Sequence, residues 1–260
     1  MDPYLLIVIQ SIALPFGLSG LLSAWSMHRD AYKVIGNALV WLIAYAWIIR
    51  WPEFPPGEAI DWPGPLLVAS VAAGCITYRT ARWLFRSVIF LIAIMAIAWP
   101  VLHYQPSLTL VSELVFIIIA GVVLFRRMEH RLAVTPAFIL AIQATGLAVA
   151  SALSGSLLVG QLAAALTAVT GTYAFPEILD RLHKTPFSIQ HRLAFLPLYL
   201  ALLTIARLYA ELPLVVTVLL LSGPILSVLV SWRHNWMIHL LLNAGAIGLV
   251  ILNSDNTAYY

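Results

Sequence analysis

Hydrophobic residues follow one another in ten long segments, and charged residues, prolines and aromatic residues separate these segments. The segments lack the strict alternation of a barrel strand, which predicts helices. Most are close to the roughly 17–25 residues with which a helix crosses a bilayer. The predicted segments cover residues 3–25, 34–50, 65–82, 87–103, 107–125, 134–153, 157–175, 193–209, 213–230 and 236–252.

Composition indicates that lipid, and not water, surrounds these helices. Hydrophobic residues are 62% of the chain and charged residues 10%, against roughly 25% charged residues in soluble domains. A soluble fold of this size could not bury so much apolar surface. The expected class is therefore an all-α polytopic membrane protein. The third segment is the weakest of the ten, because it reaches full length only by including Arg79 and Arg82.

The positions of the basic residues predict the orientation of the ten spans. Twelve of the fourteen lysines and arginines fall in loops on one side, which the positive-inside rule makes cytoplasmic. Only Arg50 and Arg207 fall on the other side. We therefore expect an inner (plasma) membrane protein with both termini on the non-cytoplasmic side. The cytoplasmic set is Arg29, Lys33, Arg79, Arg82, Arg86, Arg126, Arg127, Arg131, Arg181, Lys184, Arg192 and Arg233.

The end of the second segment occurs again later in the chain. Trp51-Pro52-Glu53 and Phe175-Pro176-Glu177 each close a segment, and their prolines are 124 residues apart (176 − 52). Segment one matches segment six at a spacing of 133 (136 − 3), through the pairs Pro3/Pro136 and Gln10/Gln143. These matches predict a duplicated chain. The other matches at the 124-residue spacing are Gly36-Asn37 with Gly160-Gln161, Pro100 with Pro224, and Ala120-Gly121 with Ala244-Gly245.

Each predicted half, residues 1–131 and 132–260, contains five segments. Because five is odd, the halves must cross the membrane in opposite directions and form two inverted-topology five-helix repeats. Helix count and symmetry resemble five-plus-five secondary carriers, such as the drug/metabolite transporter group and the auxin-efflux-carrier type. The predicted outer termini fit the second type better. This resemblance implies solute transport by alternating access.

Prolines and amides inside the segments are candidates for a substrate or ion pathway. Proline removes a backbone hydrogen bond, so Pro100 and Pro224 either mark discontinuous helices or are packing kinks. Inverted symmetry predicts two polar pairs, Gln10 with Gln161 and Gln143 with Asn37. The alternative is that these amides form structural hydrogen bonds between helices.

Glu113 is the one carboxylate predicted to lie well inside a segment, about six residues from its outer end. An acid inside the membrane indicates function, because its burial is costly unless it is paired or protonated. Arg207 is a possible partner, and Asn243 in segment ten completes the pathway candidates. Small residues at four-residue spacing in segment seven predict close helix packing, with a homodimer interface as the alternative. They are Gly160, Ala164, Ala168 and Gly171.

Three functions fit this sequence. The first is a carrier of a small solute or ion, in which Gln10, Gln143 and Glu113 face a central cavity. The second is a non-catalytic subunit or scaffold of a larger membrane complex. The third is an intramembrane enzyme, because Ser154-Gly155 resembles the serine-glycine pair of rhomboid proteases. We identify no catalytic, metal-binding or cofactor-binding motif. The expected partners are the bilayer and a solute or ion, with a second copy or complex subunits as alternatives, and no nucleic acid.

Overall fold

The structure, a computed structural model, describes residues 3–25, 30–49, 55–76, 78–129, 137–179, 189–229 and 235–257. Every regular element in these ranges is helical, in agreement with the predicted all-α class. We number ten helices in chain order. They are α1 (Pro3–Val8, Ile9–Ala13 and Leu14–Trp25, continuous), α2 (Asp30–Ile49), α3 (Pro63–Ala72), α4 (Arg79–Tyr104), α5 (Leu108–Glu129), α6 (Ala137–Leu153), α7 (Leu157–Leu179), α8 (Ile189–Tyr209), α9 (Leu214–Leu229) and α10 (Asn235–Thr257).

Helix α3 differs most from its predicted segment. The prediction of one segment over 65–82 is wrong, because the α-helix ends at Ala72 and a single 3-10 turn follows to Cys75. Ile76 is extended, and Arg79 already belongs to α4. Gly74 weakens the helix and the β-branched Ile76 favours an extended backbone. At ~1.5 Å per residue, the ten residues of α3 span only about half of a bilayer core.

Several other helices also extend beyond their predicted limits, among them α4, α5 and α7. The α4 helix begins at Arg79, and α5 continues through Arg126 and Arg127 to Glu129. The prediction that Phe175-Pro176-Glu177 closes a helix is wrong, because α7 continues to Leu179. A proline in the last turn removes one backbone hydrogen bond without ending the helix. The matching Trp51-Pro52-Glu53 lies outside the described residues.

Helix α8 forms the centre of the bundle. All of its residues from 193 to 206 are buried, as expected for a helix that is apolar all round. It packs against α3, α4, α5 and α7, with smaller contacts to α2, α6 and α9. Helix α1 lies at the periphery, where it packs against α7 and α2.

Three helices are long and apolar enough to cross a membrane. They are Tyr4–Leu22, Arg79–Tyr104 and Leu108–Glu129, in the part of the chain with described side chains. The seven other apolar helices have 10–17 residues whose side chains are described, although α2, α7, α8 and α10 are longer when their whole backbone is counted. Many large apolar side chains point outward, such as Leu21, Leu108 and Leu241, which are at least 70% exposed.

Helix contacts agree with the predicted duplication only in part. Helix α4 packs on α5 as α9 packs on α10, and the corresponding helices α2 and α7 pack on each other. The α2–α7 pair is antiparallel, because Asn37 lies near Thr172 while Trp41 donates to the carbonyl of Leu162. However, α6 packs on α9 and α10, and α1 makes no comparable contact with α4 or α5 among the described residues. The inverted repeat stays a prediction.

Candidate functional site

A groove of about 520 Å³ lies between α1, α6 and α7. Its walls are almost entirely apolar and include Ile12 and Phe16 of α1, Val149 of α6 and Ala164 of α7. Among the described residues, no charged side chain lines it. This volume is within the range of small-molecule sites. Of the candidates from the sequence, Gln161 lines the groove and is half-buried.

Helix α1 carries a wide π turn, Ile9–Ala13, beside this groove. Its hydrogen bond runs from the N–H of Leu14 to the carbonyl of Ile9, five residues back. Pro15 follows at once and has no N–H to give to the preceding turn, which favours the irregular geometry. Ser11 lies in this turn at the wall of the groove; it is 1% exposed, and its hydroxyl has no hydrogen-bond partner among the described residues. Gln10 lies in the same turn and is half-buried.

Small residues of α7 form the floor of the groove. At Gly160 a Cβ atom would come within 3.0 Å of the Ala148 carbonyl oxygen, so α6 and α7 approach closely there. At Gly171 a Cβ atom would meet nothing within 4 Å. The small-residue stripe therefore faces α6 and the groove, inside the fold. Thr145 and Thr167 also line the groove, but their hydroxyls donate to carbonyls of their own helices. Ser11 is consequently the buried hydroxyl there that a ligand could satisfy.

Asn37 belongs to a separate polar cluster between α1, α2 and α7. Its Oδ1 accepts a hydrogen bond from Ser19, whose Oγ also lies 2.8 Å from Thr172 Oγ1. The Nδ2 atom of Asn37 donates to the Lys33 carbonyl at 2.7 Å. The predicted pairing of Asn37 with Gln143 is wrong, because both amides have partners on other helices.

Gln143 instead lies beside α10. Its Nε2 atom is 3.5 Å from His239 Nδ1, and Asn243 donates to the His239 carbonyl at 2.7 Å. All three side chains are buried. Gln143 and Asn243 therefore share one cluster, whereas His239 was not among the predicted residues. The signal for it in the sequence is its four-residue spacing from Asn243, which places both on one face of a helix.

Glu113 and Arg207 form the ion pair considered from the sequence. Arg207 Nε donates to Glu113 Oε2 at 2.8 Å, and Arg207 Nη2 donates to Oε1 at 3.0 Å. Arg207 Nη1 also donates to the Leu212 carbonyl at 3.1 Å. Glu113 lines a cavity of about 180 Å³ together with Ser112 and Thr217. Gln10 and Gln143 line neither this cavity nor the larger groove, so the expected common cavity stays a prediction.

The two candidate prolines each lie next to a tyrosine of α8. Pro224 leaves the Leu220 carbonyl without its usual donor, and the hydroxyl of the buried Tyr199 donates to it at 2.9 Å. In α4, the Tyr209 hydroxyl donates at 2.7 Å to the carbonyl of Ile97, three residues before Pro100. Both helices remain continuous at these prolines. Tyrosine hydroxyls thus satisfy backbone acceptors where proline disturbs the ladder.

Sequence reasoning missed a second buried carboxylate, Glu129. It pairs with the buried Arg86, and Arg82 Nε lies 3.4 Å from its other oxygen. Arg86 also donates to the Ser70 carbonyl at 3.4 Å. Arg86 and Glu129 lie at similar distances before and after the turn at residues 105–107. Antiparallel packing of α4 on α5 therefore brings them together, and this counting could have predicted the pair.

The serine-glycine pair lies in the turn between α6 and α7. Gly155 has a positive φ of 96°, which a glycine adopts without strain. Ser154 is eleven residues from Gln143, or roughly 16 Å along a helix. Because His239 neighbours Gln143, it is far from Ser154, and the two side chains do not form a catalytic serine-histidine pair. Among the described residues, no group of three His, Cys, Asp or Glu side chains could hold a metal ion.

Comparison of the chain with protein-family models, with curated proteins and with solved structures finds no match. The functional argument therefore depends on the geometry of the groove and of the polar clusters.

Proposed function

We propose that this protein is a membrane carrier that moves a small, uncharged, largely apolar solute by alternating access. The observation that carries the proposal is the groove, because it has the volume of a ligand site and a single unpartnered hydroxyl in apolar walls. A charged solute would lose its hydration there without gaining an opposite charge. A solute with an apolar body and one hydrogen-bonding group would match the walls and Ser11.

The position of the groove supports a carrier in particular. Its walls come from α1 in the first predicted half and from α6 and α7 in the second. In carriers built from inverted repeats, the substrate site lies between the repeats. The antiparallel packing of α2 on α7 is the arrangement that opposite insertion of two equivalent helices requires. Contacts present in one half and lacking in the other are expected when the two repeats adopt different conformations.

The positions of the arginines along the helices support insertion of the chain in a membrane. Arg79, Arg82 and Arg86 begin α4, and Arg126 and Arg127 end its neighbour α5. The Glu113 partner of Arg207 lies sixteen residues (129 − 113) before Glu129 on α5, or roughly 24 Å away. The described arginines therefore separate into two ends of the bundle. A cytoplasmic position of the arginine-rich end agrees with the positive-inside rule.

Binding of an apolar fluorophore tests the proposed site. The full chain in nanodiscs is titrated with N-phenylnaphthylamine, and saturable binding to the wild-type protein is expected. Gly171→Leu should weaken binding by about tenfold, or ~1.4 kcal/mol, because the new side chain enters open space in the groove. Gly245→Leu is the matched control, since Gly245 also has open space around it but lies on α10 outside the groove. Equal affinities of Gly171→Leu and wild-type protein would contradict the proposal.

One observation favours the alternative function, a subunit of a larger membrane complex. The groove is bounded on one side by the exposed side chains of Ile12 and Phe16, so a helix of a partner could also occupy it. This alternative predicts that the isolated chain aggregates and that the fluorophore does not bind. A monodisperse isolated chain with saturable binding would exclude it.

A further inference from the structure

Three buried polar side chains meet between α6 and α10 without satisfying their hydrogen-bonding capacity. They are Gln143 of α6 and His239 and Asn243 of α10. Each has one polar atom without a partner in the described part of the chain, namely Gln143 Oε1, His239 Nε2 and Asn243 Oδ1. A buried polar atom without a partner is destabilising, and three in one cluster are a concentrated cost. Apolar residues would pack here without this energetic cost, so the unpartnered polar atoms indicate a ligand-binding role.

Two glycines hold the amides of this cluster in place. A Cβ atom at Gly146 would lie 1.6 Å from Asn243 Oδ1, and one at Gly223 would lie 2.2 Å from Gln143 Nε2. Each amide is therefore pressed against the backbone of a neighbouring helix. Gly223 directly precedes Pro224, where α9 lacks a backbone hydrogen bond. The amides consequently occupy space that only glycine leaves free.

Among the described residues of α6, α9 and α10, His239 is the group whose charge can change near neutral pH. Helix α10 packs against α6 and α9, and neither of these helices contains an acidic, basic or histidine residue. Within α10 the other ionisable residue is Asp255, sixteen residues further along. No fixed charge on these elements therefore competes for the imidazole.

We propose that His239, Gln143 and Asn243 form a proton-binding site, and that the proton is the coupling ion of the carrier. In the unprotonated cluster both amide oxygens, Gln143 Oε1 and Asn243 Oδ1, are acceptors without a donor. In the neutral ring, Nδ1 accepts from Gln143 Nε2, so the ring proton is on Nε2. A proton from water adds to Nδ1 and gives an imidazolium with two N–H donors. Rotation of the Gln143 amide then turns its unused Oε1, in place of Nε2, toward the new N–H of Nδ1, so that the protonated ring gains an acceptor. Neither sodium nor a divalent metal fits as well, since the cluster offers only two side-chain oxygens and no carboxylate.

Helix α6 connects this site to the groove. Gln143 lies on its α10 side, whereas Thr145, Ala148 and Val149 line the groove on another side. A charged imidazole attracts water and acceptors and would change how α10 packs on α6. The groove wall on α6 would move with it. This coupling rests on the proposed carrier function, whereas the proton site itself does not.

Histidine NMR and fluorophore binding test the two statements separately. The full chain, labelled with ¹⁵N-histidine in nanodiscs, is titrated between about pH 5 and pH 8, the range in which imidazole changes charge. The His239 signals, identified as those missing in His239→Gln, should change from the neutral to the charged form. Over the same range the affinity for N-phenylnaphthylamine should change by at least about fivefold, the lower limit of common site-to-site coupling.

Variants make the result decisive. In His239→Gln the affinity should be independent of pH, and in Gln143→Leu its pH dependence should shrink. His103→Gln is the control, because His103 stacks on Trp99 at the exposed end of α4 and should not affect the pH dependence. A His239 ring that stays neutral throughout, or an unchanged pH dependence in His239→Gln, would overturn the proposal. Titration of His239 without any fluorophore binding would remove the carrier function and leave the proton site standing.

Discussion

The ion pair between Glu113 and Arg207 joins α5 to the central helix α8, and its two halves should contribute unequally to stability. The Glu113 side chain is 8% exposed and the Arg207 side chain 25%. Arg207→Gln leaves a buried carboxylate with no cation, whereas Glu113→Gln leaves an arginine that is partly exposed. In Glu113→Gln, Arg207 also keeps its hydrogen bond to the Leu212 carbonyl. We therefore expect the arginine variant to be the less stable one.

The expected magnitudes follow from the geometry. Removal of one partner of a buried ion pair costs about 3–5 kcal/mol, and the partial exposure of Arg207 places Arg207→Gln near ~3 kcal/mol. In Glu113→Gln the amide oxygen still accepts a hydrogen bond, so the loss is closer to ~1 kcal/mol. At roughly 2–4 °C per kcal/mol for a chain near this size, Arg207→Gln should lower Tm by about 6–12 °C. The double variant should be more stable than Arg207→Gln, because no unpaired charge remains.

Unfolding of the purified chain in mixed micelles by SDS, followed by far-UV circular dichroism, measures the differences in free energy, and heating of the same samples measures Tm. The control is Arg127→Gln, which removes an exposed arginine from the end of α5 and should change stability by less than about 0.5 kcal/mol. Equal losses for Arg207→Gln and Glu113→Gln, or additive losses in the double variant, would refute the reasoning. Additivity would mean that the two side chains do not interact.

Two further predictions concern the interior of the bundle. Gly146→Ala places a methyl group against the Asn243 amide and should lower the free energy of unfolding by about 1–3 kcal/mol through overpacking. Its control Gly248→Ala, in open space, should be neutral or stabilise α10 by up to ~1 kcal/mol. The same SDS titration measures both, and equal effects would contradict the close approach of Gly146 to Asn243. Tyr199→Phe leaves the Leu220 carbonyl buried without a donor and should lower the free energy of unfolding by about 1–3 kcal/mol. Tyr209→Phe should cost less, because Tyr209 is more exposed than Tyr199. The reverse order of the two Tm values would count against the role of Tyr199.

Helix number and most helix limits could be predicted from the sequence because apolar length is a strong signal. Segments of about twenty apolar residues bounded by charge correspond to helices such as α2 and α8. The signal fails where local backbone preference decides. Gly74 and Ile76 end α3 within an apolar stretch, and arginines continue α5 because long side chains are compatible with a helix.

Some residues of the candidate site could be predicted from the sequence, but their contacts could not. Residue type identified Glu113, Asn37 and Gln143 as buried polar groups, and the structure buries all three. Their partners depend on which helices pack together, which apolar periodicity does not specify. Symmetry suggested Asn37 for Gln143, whereas packing of α10 on α6 gives it His239. Ser11 was missed because a serine in an apolar helix carries no signal in the sequence; only the fold shows that it lies at the wall of the groove.

The most direct test of alternating access is the reactivity of one groove residue from each side of the membrane. Cys75 is the one cysteine of the chain, so Ala164→Cys in a Cys75→Ser background gives a single thiol in the groove. Gln105→Cys, in the turn after α4, gives a control thiol that should react from one side only. Sealed vesicles of both orientations are treated with a membrane-impermeant maleimide. The carrier proposal predicts that the Ala164→Cys thiol reacts in both orientations and that N-phenylnaphthylamine protects it, whereas reaction from one side only, or from neither, would contradict it.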